Sequence, residues 1–353
     1  MATDKSTSKS QLPYVSVVIC TFNGSAHIGQ TLTAIKAQTY SKDNYEIIVV
    51  DDGSTDDTAK IAEGFDVRLV RHSKNMGLGV GRNSGLAAAR GDVIAFTDDD
   101  CLPDTNWVET LIMPFADGAV MGVGGRVFAV TRNTPTERYM DASGYGNPAP
   151  YRLSSGKSMF SKLAAYISQM VTPLHLHMQD GQPLQEIFTL NAAYRTASLR
   201  DIGGFDINLR AAEDSDVSAR LYEKFPDNRI VFSSNARVGH RHRRALEPWV
   251  KQTFERSQDA YIQIRKENRL PPMFPFPVMI LFLTIITSYF GLLIGLVTFL
   301  LGPLALYWWW QLRLAKQNNL DRLRFPYIQF LLEAATLSGY AVAFLGQRLK
   351  GTR

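Results

Sequence analysis

The patterned part of the chain opens with Val15-Ser16-Val17-Val18-Ile19-Cys20, a short β-branched apolar run that predicts a buried strand. After the turn Thr21-Phe22-Asn23-Gly24 the period changes. Ile28, Leu32 and Ile35 fall on one face of a helix running from about Ala26 to Gln38. The alternation then repeats. Glu46-Ile47-Ile48-Val49-Val50 predicts a second strand, broken at Asp51-Asp52-Gly53-Ser54 and followed by a helix to Glu63. Val67 to Val70 predicts a third strand, Gly79 to Ala89 a helix of small residues, and Val93-Ile94-Ala95-Phe96 a fourth strand ending at Asp98-Asp99-Asp100. Apolar strands alternating with helices specify an α/β fold, a mostly parallel sheet with helices on both faces. Ligands bind beyond the carboxyl ends of such strands. Here those ends carry Asn23, Asp51, Asp52, Asp98, Asp99 and Asp100.

Further on, Val120 to Val130 reads as a strand with Gly124-Gly125 inside it. Thr131 to Gln185 lacks a clear period apart from a helical stretch over Lys157 to Met170. Ile187 to Ala193 reads as extended, Gly203-Gly204-Phe205 as a turn and Ser215 to Lys224 as a helix. From Val278 to Trp310 the chain is almost wholly apolar, as one tilted helix or as a hairpin turning within Ser288 to Gly291. Basic residues on both sides (Arg265, Lys266 and Arg269 before, Arg313, Lys316, Arg322 and Arg324 after) favour an even number of crossings, hence a hairpin. Phe325 to Leu345 is a third apolar stretch holding Glu333, read as a helix on the membrane surface or across it. The expected organisation is a disordered 1–13, a catalytic domain over 14–256 and a basic interfacial linker over 257–275. A transmembrane hairpin over 276–311 and a basic loop with a final helix over 312–353 complete it.

Composition adjusts this picture in three places. The net charge of +5 over 353 residues would suit a nucleic-acid binder. The excess, however, sits between Arg237 and Arg269 and around Arg313 to Arg324, beside the apolar segments, where it suits anionic lipid. Cys20 and Cys101 have no partners at zinc spacing and form no disulfide framework, which fits a reducing compartment. Met1 to Gln11 is polar and lacks the apolar core of a signal peptide. The expected location is therefore the cytoplasmic membrane, with the soluble domain on the cytoplasmic side.

Candidate chemistry concentrates at the strand ends. In an extended segment Asp98 and Asp100 point one way and Asp99 the other, so Asp98 and Asp100 form a pair aimed at one site. Adjacent carboxylates repel unless a cation neutralises them, and hard oxygen ligands suit Mg²⁺ or Mn²⁺. Asp51-Asp52 can accept from a base or ribose, or can cap the following helix. Lys74-Asn75-Met76-Gly77 and Gly79-x-Gly81-Arg82 open a helix whose N-terminus would attract phosphate, with Arg82 as a ligand or an ordinary surface arginine. Glu213-Asp214 opens another helix, where a carboxylate serves as a general base or simply complements the helix dipole. His240, in a basic run, is a candidate metal or diphosphate ligand.

Taken in order, these motifs resemble family 2 glycosyltransferases of the A-type (GT-A, Rossmann-like) fold, in particular bacterial members with a hydrophobic C-terminal tail. The residues that carry the likeness are Val17 to Asn23, Val50 to Asp56, Asn75, Arg82-Asn83-x-Gly85, Phe96 to Asp100, Asn191-Ala192-Ala193, Gly203 to Asp206, and Glu213-Asp214 with Asp216 and Arg220. The resemblance implies a nucleotide-diphosphate sugar donor held by Thr21, Asn23, Asp51, Asp52, Arg82, Asp98 and Asp99. It implies a divalent metal on Asp100, with Asp98 and His240, and Asp214 as catalytic base. Asn191, Gly203, Gly204 and Glu213 would shape the acceptor side, and the acceptor would be a glycan or lipid-linked glycan, not a nucleic acid. A polyprenyl-phosphate glycosyl synthase and a silent nucleotide-sugar-binding membrane subunit are the alternatives. Asp99 stands where the family often has alanine or serine, and no clear Gln-x-x-Arg-Trp signature of processive synthases is present; Gln252 and Arg256 echo it faintly.

Overall fold

A computed structural model describes residues 12–150, 177–209, 212–266, 275–314 and 319–350. The expected helix over Lys157 to Met170 and most of the expected disordered N-terminus lie outside these residues. The four predicted strands form as β1 (Val15–Thr21), β2 (Tyr45–Asp51), β3 (Arg68–Arg71) and β4 (Val93–Asp98). β1 lies parallel between β2 and β4, and β2 is parallel to β3. Alternate side chains of these strands feed two cores. Val17, Ile19 and Val49 pack with Ile28, Leu32 and Ile35 of the Ile28–Lys36 helix. Val18, Ile48 and Phe96 pack with Leu86 of the Leu78–Ala88 helix and with Val217 and Leu221.

Past β4 the sheet becomes mixed. β5 (Cys101–Pro103), β6 (Val120–Ala129), β7 (Ala149–Pro150), β8 (Leu184–Glu186), β9 (Asn191–Arg195) and β10 (Arg229–His240) follow. The main sheet runs β3-β2-β1-β4-β9-β6-β10-β5, and β7 pairs with β8 apart from it. β9 is antiparallel to both β4 and β6, so its first residue, Asn191, stands opposite Thr97 near the end of β4. β10 is parallel to β6, with a register break between Ser233 and Arg237. That break splits the strand's apolar pattern into two fragments, which hides it from a period-based reading.

The apolar stretch resolves into a hairpin. Helices Phe276–Tyr289 and Leu292–Leu306 are separated at Phe290-Gly291, with Gly291 at φ 152. Short helix Trp309–Arg313 and long helix Asn319–Lys350 follow. Helix Leu246–Lys266 runs straight through position 256, where the catalytic domain was expected to end. These helices are packed onto the catalytic body. Tyr139 and Met140 share a buried cluster with Trp249, Phe276, Tyr307, Trp310 and Phe325. Leu320–Gly346 is long and apolar enough to cross a membrane, with a mean hydropathy of 1.5.

Candidate active site

A cleft of about 1120 Å³ opens at the carboxyl ends of β1, β2 and β4. On its β2 side, Asp52 is held by the loop that leads into the Leu78–Ala88 helix. Its Oδ1 accepts from Met76 N at 2.9 Å and lies 2.6 Å from His72 Nδ1, and its Oδ2 accepts from Gly77 N at 2.8 Å. His72 Nε2 in turn lies 2.9 Å from Ser84 Oγ. Asp52 thus fixes a loop whose Asn75, Met76 and Gly77 line the cleft. Gly77, at φ 93, makes the sharp turn there.

The three acids at the end of β4 diverge. Asp99 turns back toward β1, where the Thr21 hydroxyl donates to its Oδ2. Burial pushes the Asp99 carboxyl up to about 7, against the Thr21 hydrogen bond and with help from Asp100 and Asp98. Burial also raises Asp98, with Asp100 adding to the rise and Arg82, His240 and Arg256 opposing it. Asp100 Oδ1 lies 3.5 Å from His240 Nε2 at the end of β10. His240 Nδ1 touches His242 Nδ1 at 2.8 Å. Burial, and then His240, hold His242 down to about 4, so it is neutral near pH 7.

Asp100, His240 and Cys101 bring their ligand atoms within 4.8 Å of one another. Burial pushes the Cys101 thiol well above its ordinary range, and a soft sulfur suits Mg²⁺ or Mn²⁺ poorly. A carboxylate and an imidazole, with Asp98 lining the same cleft, form a donor set that fits Mg²⁺ or Mn²⁺.

Opposite these acids, Arg82 Nη1 donates to Glu213 Oε1 at 2.5 Å and lies 3.7 Å from Asp214 Oδ1. Arg82 therefore lines the cleft as one member of a buried ion pair, with its guanidinium 5.5 Å from the centre of the Phe205 ring. Ala212, at φ 65, turns the chain sharply into the Glu213–Lys224 helix, an uncommon conformation for a residue with a Cβ. Burial pushes Asp214 up to about 6; Arg82 opposes the rise and Glu213 reinforces it. Asp214 Oδ2 accepts weakly from Thr189 at 3.4 Å. Its Oδ1 is buried without a hydrogen-bond partner among the described residues. A carboxylate so placed, with one unsatisfied oxygen and a raised pKa, can take a proton near neutral pH.

Thr21, Asp52, Arg82, Asp98, Asp99, Asp100, Glu213, Asp214 and His240 therefore share one cleft. Five other candidates do not line it. Asp51 is wholly buried, its Oδ1 accepting from Ser54 N at 2.9 Å and its Oδ2 lying 3.3 Å from Arg71 Nε. Asn23, at φ 54, clamps the neighbouring turn by accepting from Thr55 N at 2.9 Å. Asn191 is an interior strut. It donates to Arg126 O and Ala236 O at 3.0 and 2.9 Å and accepts from Trp107 Nε1 at 2.8 Å. Gly203 and Gly204, at φ 81 and 74, form a turn whose Gly204 O is held by Arg220 at 2.7 Å.

Other cleft residues were not among the candidates assigned a role from the sequence. Arg241 and Arg243, from the basic run that holds His240, extend the wall at the end of β10; Tyr145 and Gly146 come from the stretch without period, and Phe188 to Leu190 from the segment read as extended. Gln252 and Arg256, one helical turn apart on Leu246–Lys266, also line the cleft. Both were named from the sequence as a faint echo of the Gln-x-x-Arg-Trp signature, and the structure brings them to the cleft wall.

Residues 16–183 match the family model described as Glycosyl transferase family 2. The chain is 36% identical over 137 residues to the glycosyltransferase AglE of Haloferax volcanii, covering 37% of this chain and 45% of that one. It is 27% identical over 266 residues to the pre-mycofactocin glycosyltransferase of Mycobacterium tuberculosis, covering 73% of this chain and 49% of that one. The chain thus spans about half the length of these curated relatives. Among solved structures it resembles the mannosyltransferase PcManGT from Pyrobaculum calidifontis, determined in complex with GDP-Man and Mn²⁺. The TM-score is 0.53 at 19% identity, with 98% of this chain and 89% of that one covered, a likeness of fold.

Proposed function

We propose that the chain, whose residues 16–183 match the glycosyl transferase family 2 model and whose fold is GT-A-like, is an inverting glycosyltransferase acting on a membrane-associated glycan or lipid-linked glycan. The donor is a nucleotide-diphosphate sugar. The observation that carries this reading is the convergence of Asp52, Asp98, Asp100, Asp214 and His240, from distant stretches of chain, on one cleft. Thr21, Asp52 and Asp99, at the ends of β1, β2 and β4, make the nucleoside side. Asp100 and His240, with Asp98, would hold Mg²⁺ or Mn²⁺. Such an ion, when bound, offsets negative charge on the diphosphate.

In this reading Asp214 takes the proton of an acceptor hydroxyl. The freed oxygen attacks the anomeric carbon from the face opposite the diphosphate. The bond from that carbon to the diphosphate oxygen breaks, and the configuration inverts. Arg241, Arg243 and Arg256 supply positive charge beside the leaving group. Arg82 keeps Glu213 neutralised and sets the basicity of Asp214. A membrane-bound acceptor is supported by the tail, because Met140 lines the cleft and also packs in the aromatic cluster beneath the apolar hairpin. The basic flanks of that hairpin favour the cytoplasmic face.

The test is transfer from a panel of nucleotide sugars in the presence of Mn²⁺ or Mg²⁺. Asp214→Asn should keep donor binding and lower transfer by about a hundredfold or more. Asp100→Ala should weaken the metal-dependent stabilisation by donor. Near-normal turnover of Asp214→Asn would show that another group is the base.

A further inference from the structure

We infer that the chain meets the bilayer from one side only, with the Phe276–Leu306 hairpin as a wedge about one leaflet deep and the long C-terminal helix lying along the interface. This rests on the membrane attachment proposed above and specifies its geometry. The hairpin helices have 14 and 15 residues. At 1.5 Å per residue each is about 21–23 Å long, shorter than a hydrocarbon core of about 30 Å. Their bases are not free to enter lipid. Phe276, Pro277 and Ile280 are buried at the start, and Pro303 and Tyr307 at the return. The free arm from Ile280 to Tyr289 therefore reaches only about 14 Å, roughly the bilayer midplane.

The free end is built for hydrocarbon. Tyr289, Phe290 and Leu292 are 89%, 73% and 83% exposed. The hydroxyls of Thr284, Thr287, Ser288 and Thr298 each donate to the carbonyl four residues back, at 2.7–2.9 Å. Thr287 and Thr298 also join across the hairpin at 3.0 Å. These four hydroxyls are thus satisfied inside the wedge, as a lipid environment requires. Gly295 and Gly302 let the two helices touch, since a Cβ on either would press on Ser288 or Ile280.

The long helix is long and apolar enough to span, but its packing opposes it. Helix Leu246–Lys266, which carries Glu247, Lys251, Glu255, Arg256 and Asp259, lies along it. Tyr261 stacks 5.8 Å from Tyr340 and 6.5 Å from Phe344, and Gly339 abuts Phe254 and Ser257. Burying the long helix in hydrocarbon would take these charges with it, at a cost of several kcal/mol for each one near the centre. The outward side of the long helix nevertheless exposes Leu320, Leu323, Leu331, Val342 and Leu345. Apolar outside and charged within the layer behind, the pair suits the headgroup boundary. Exposed Trp308 and basic Arg324, just past the hairpin's return, fit the same level of an anionic leaflet.

The experiment introduces single cysteines into the full-length protein and labels them with a membrane-impermeant maleimide, in intact cells and in inverted vesicles. The parent, whose Cys101 is buried and whose Cys20 is largely so, gives the blank. Met113→Cys, on the exposed catalytic surface, marks the catalytic side. Gly346→Cys should react on that same side. Tyr289→Cys and Leu293→Cys should be shielded from both sides and become reactive in detergent, which also proves that the thiols are present. Labelling of Tyr289→Cys, Leu293→Cys or Gly346→Cys from the face opposite Met113→Cys overturns the inference, because the chain would then cross. Labelling of both tip positions from the catalytic side, or a Gly346→Cys shielded from both, also overturns it. Alkali-washed membranes separate the two readings: protein lost to the supernatant removes the membrane attachment itself.

Discussion

Glu213 and Asp214 are neighbours with opposite circumstances. Glu213 is neutralised by Arg82 at 2.5 Å, whereas Asp214 is 3.7 Å from that cation and is pushed up to about 6 by burial. A base must be ionised to act, so transfer should fall as pH drops through about 6 and level off above it; a kcat/KM profile measures this. Arg82→Met removes the group that holds Asp214 down, and the acid limb should move upward by about one unit, a tenfold loss below it. An unmoved limb would dissociate Arg82 from the base. Asp99 offers a separate prediction, on stability. Its carboxyl is raised from the ordinary carboxylate range to about 7 in the folded protein. The folded state holds this proton more tightly than the unfolded chain does. The contribution is therefore fully present below about pH 4 and is lost as pH rises through about 7. Asp99→Asn should flatten that part of the stability curve, recovering at most about 4 kcal/mol at pH 8 without divalent ions. Denaturant melts across pH 4–8 measure it. The acids themselves were legible because they interrupt buried strands. Arg82's commitment to Glu213 was not, since the two are 131 residues apart and only the tertiary fold brings them together.

Elements were readable where one period ran unbroken and opaque where it was interrupted. β1, β2 and β4 are buried on both faces and read as plain apolar runs. β10 carries a bulge, and its two apolar fragments do not add up to a strand signal. The Pro135–Ser143 helix did carry a local signature within a stretch read as irregular. Thr134 accepts from Glu137 N, Glu137 accepts in return from Thr134 N, and Pro135 occupies the first turn. This helix joins the cleft to the tail. Met140 faces the cleft, and Arg138 binds Asp321 with two bonds of 2.6 and 2.9 Å across 183 residues. Asp321 is nearly buried, so removing its partner leaves a charge in a poor environment. Arg138→Ala should cost about 3 kcal/mol in denaturant unfolding, and Asp321→Asn in the same chain should return part of it. Because the helix carries one wall of the cleft, acceptor KM should rise while donor affinity stays within about twofold. An unchanged acceptor KM would confine the ion pair to stability.

At the scale of the whole molecule, the apolar tail has two parts with different mechanical roles. The sequence pattern distinguished them poorly, because hydropathy does not say which apolar residues meet protein and which meet solvent or lipid. Between Ile285 and Val297 most of the large apolar side chains are exposed, and Thr287 bonds Thr298 across the hairpin. The base and the long helix bury Tyr307, Trp309, Trp310 and Phe325 against Tyr139, Met140 and Trp249. Each fully buried large side chain contributes about 1.5–3 kcal/mol, so the base belongs to the catalytic body in energetic terms. Replacing residues 285–297 by a short Gly-Ser turn should leave the melting temperature and donor hydrolysis nearly unchanged while the protein no longer sediments with membranes. Ending the chain after Lys266 removes the base and the partner of Leu246–Lys266 as well. That truncation should lower stability by several kcal/mol and raise acceptor KM on a soluble acceptor by tenfold or more, because the Met140 wall loses its support. The two truncations measured side by side decide between anchor and wall. Equal damage from both would mean that the tip also holds the cleft, and no damage from either would mean that the aromatic cluster leaves the cleft mechanically independent of the tail.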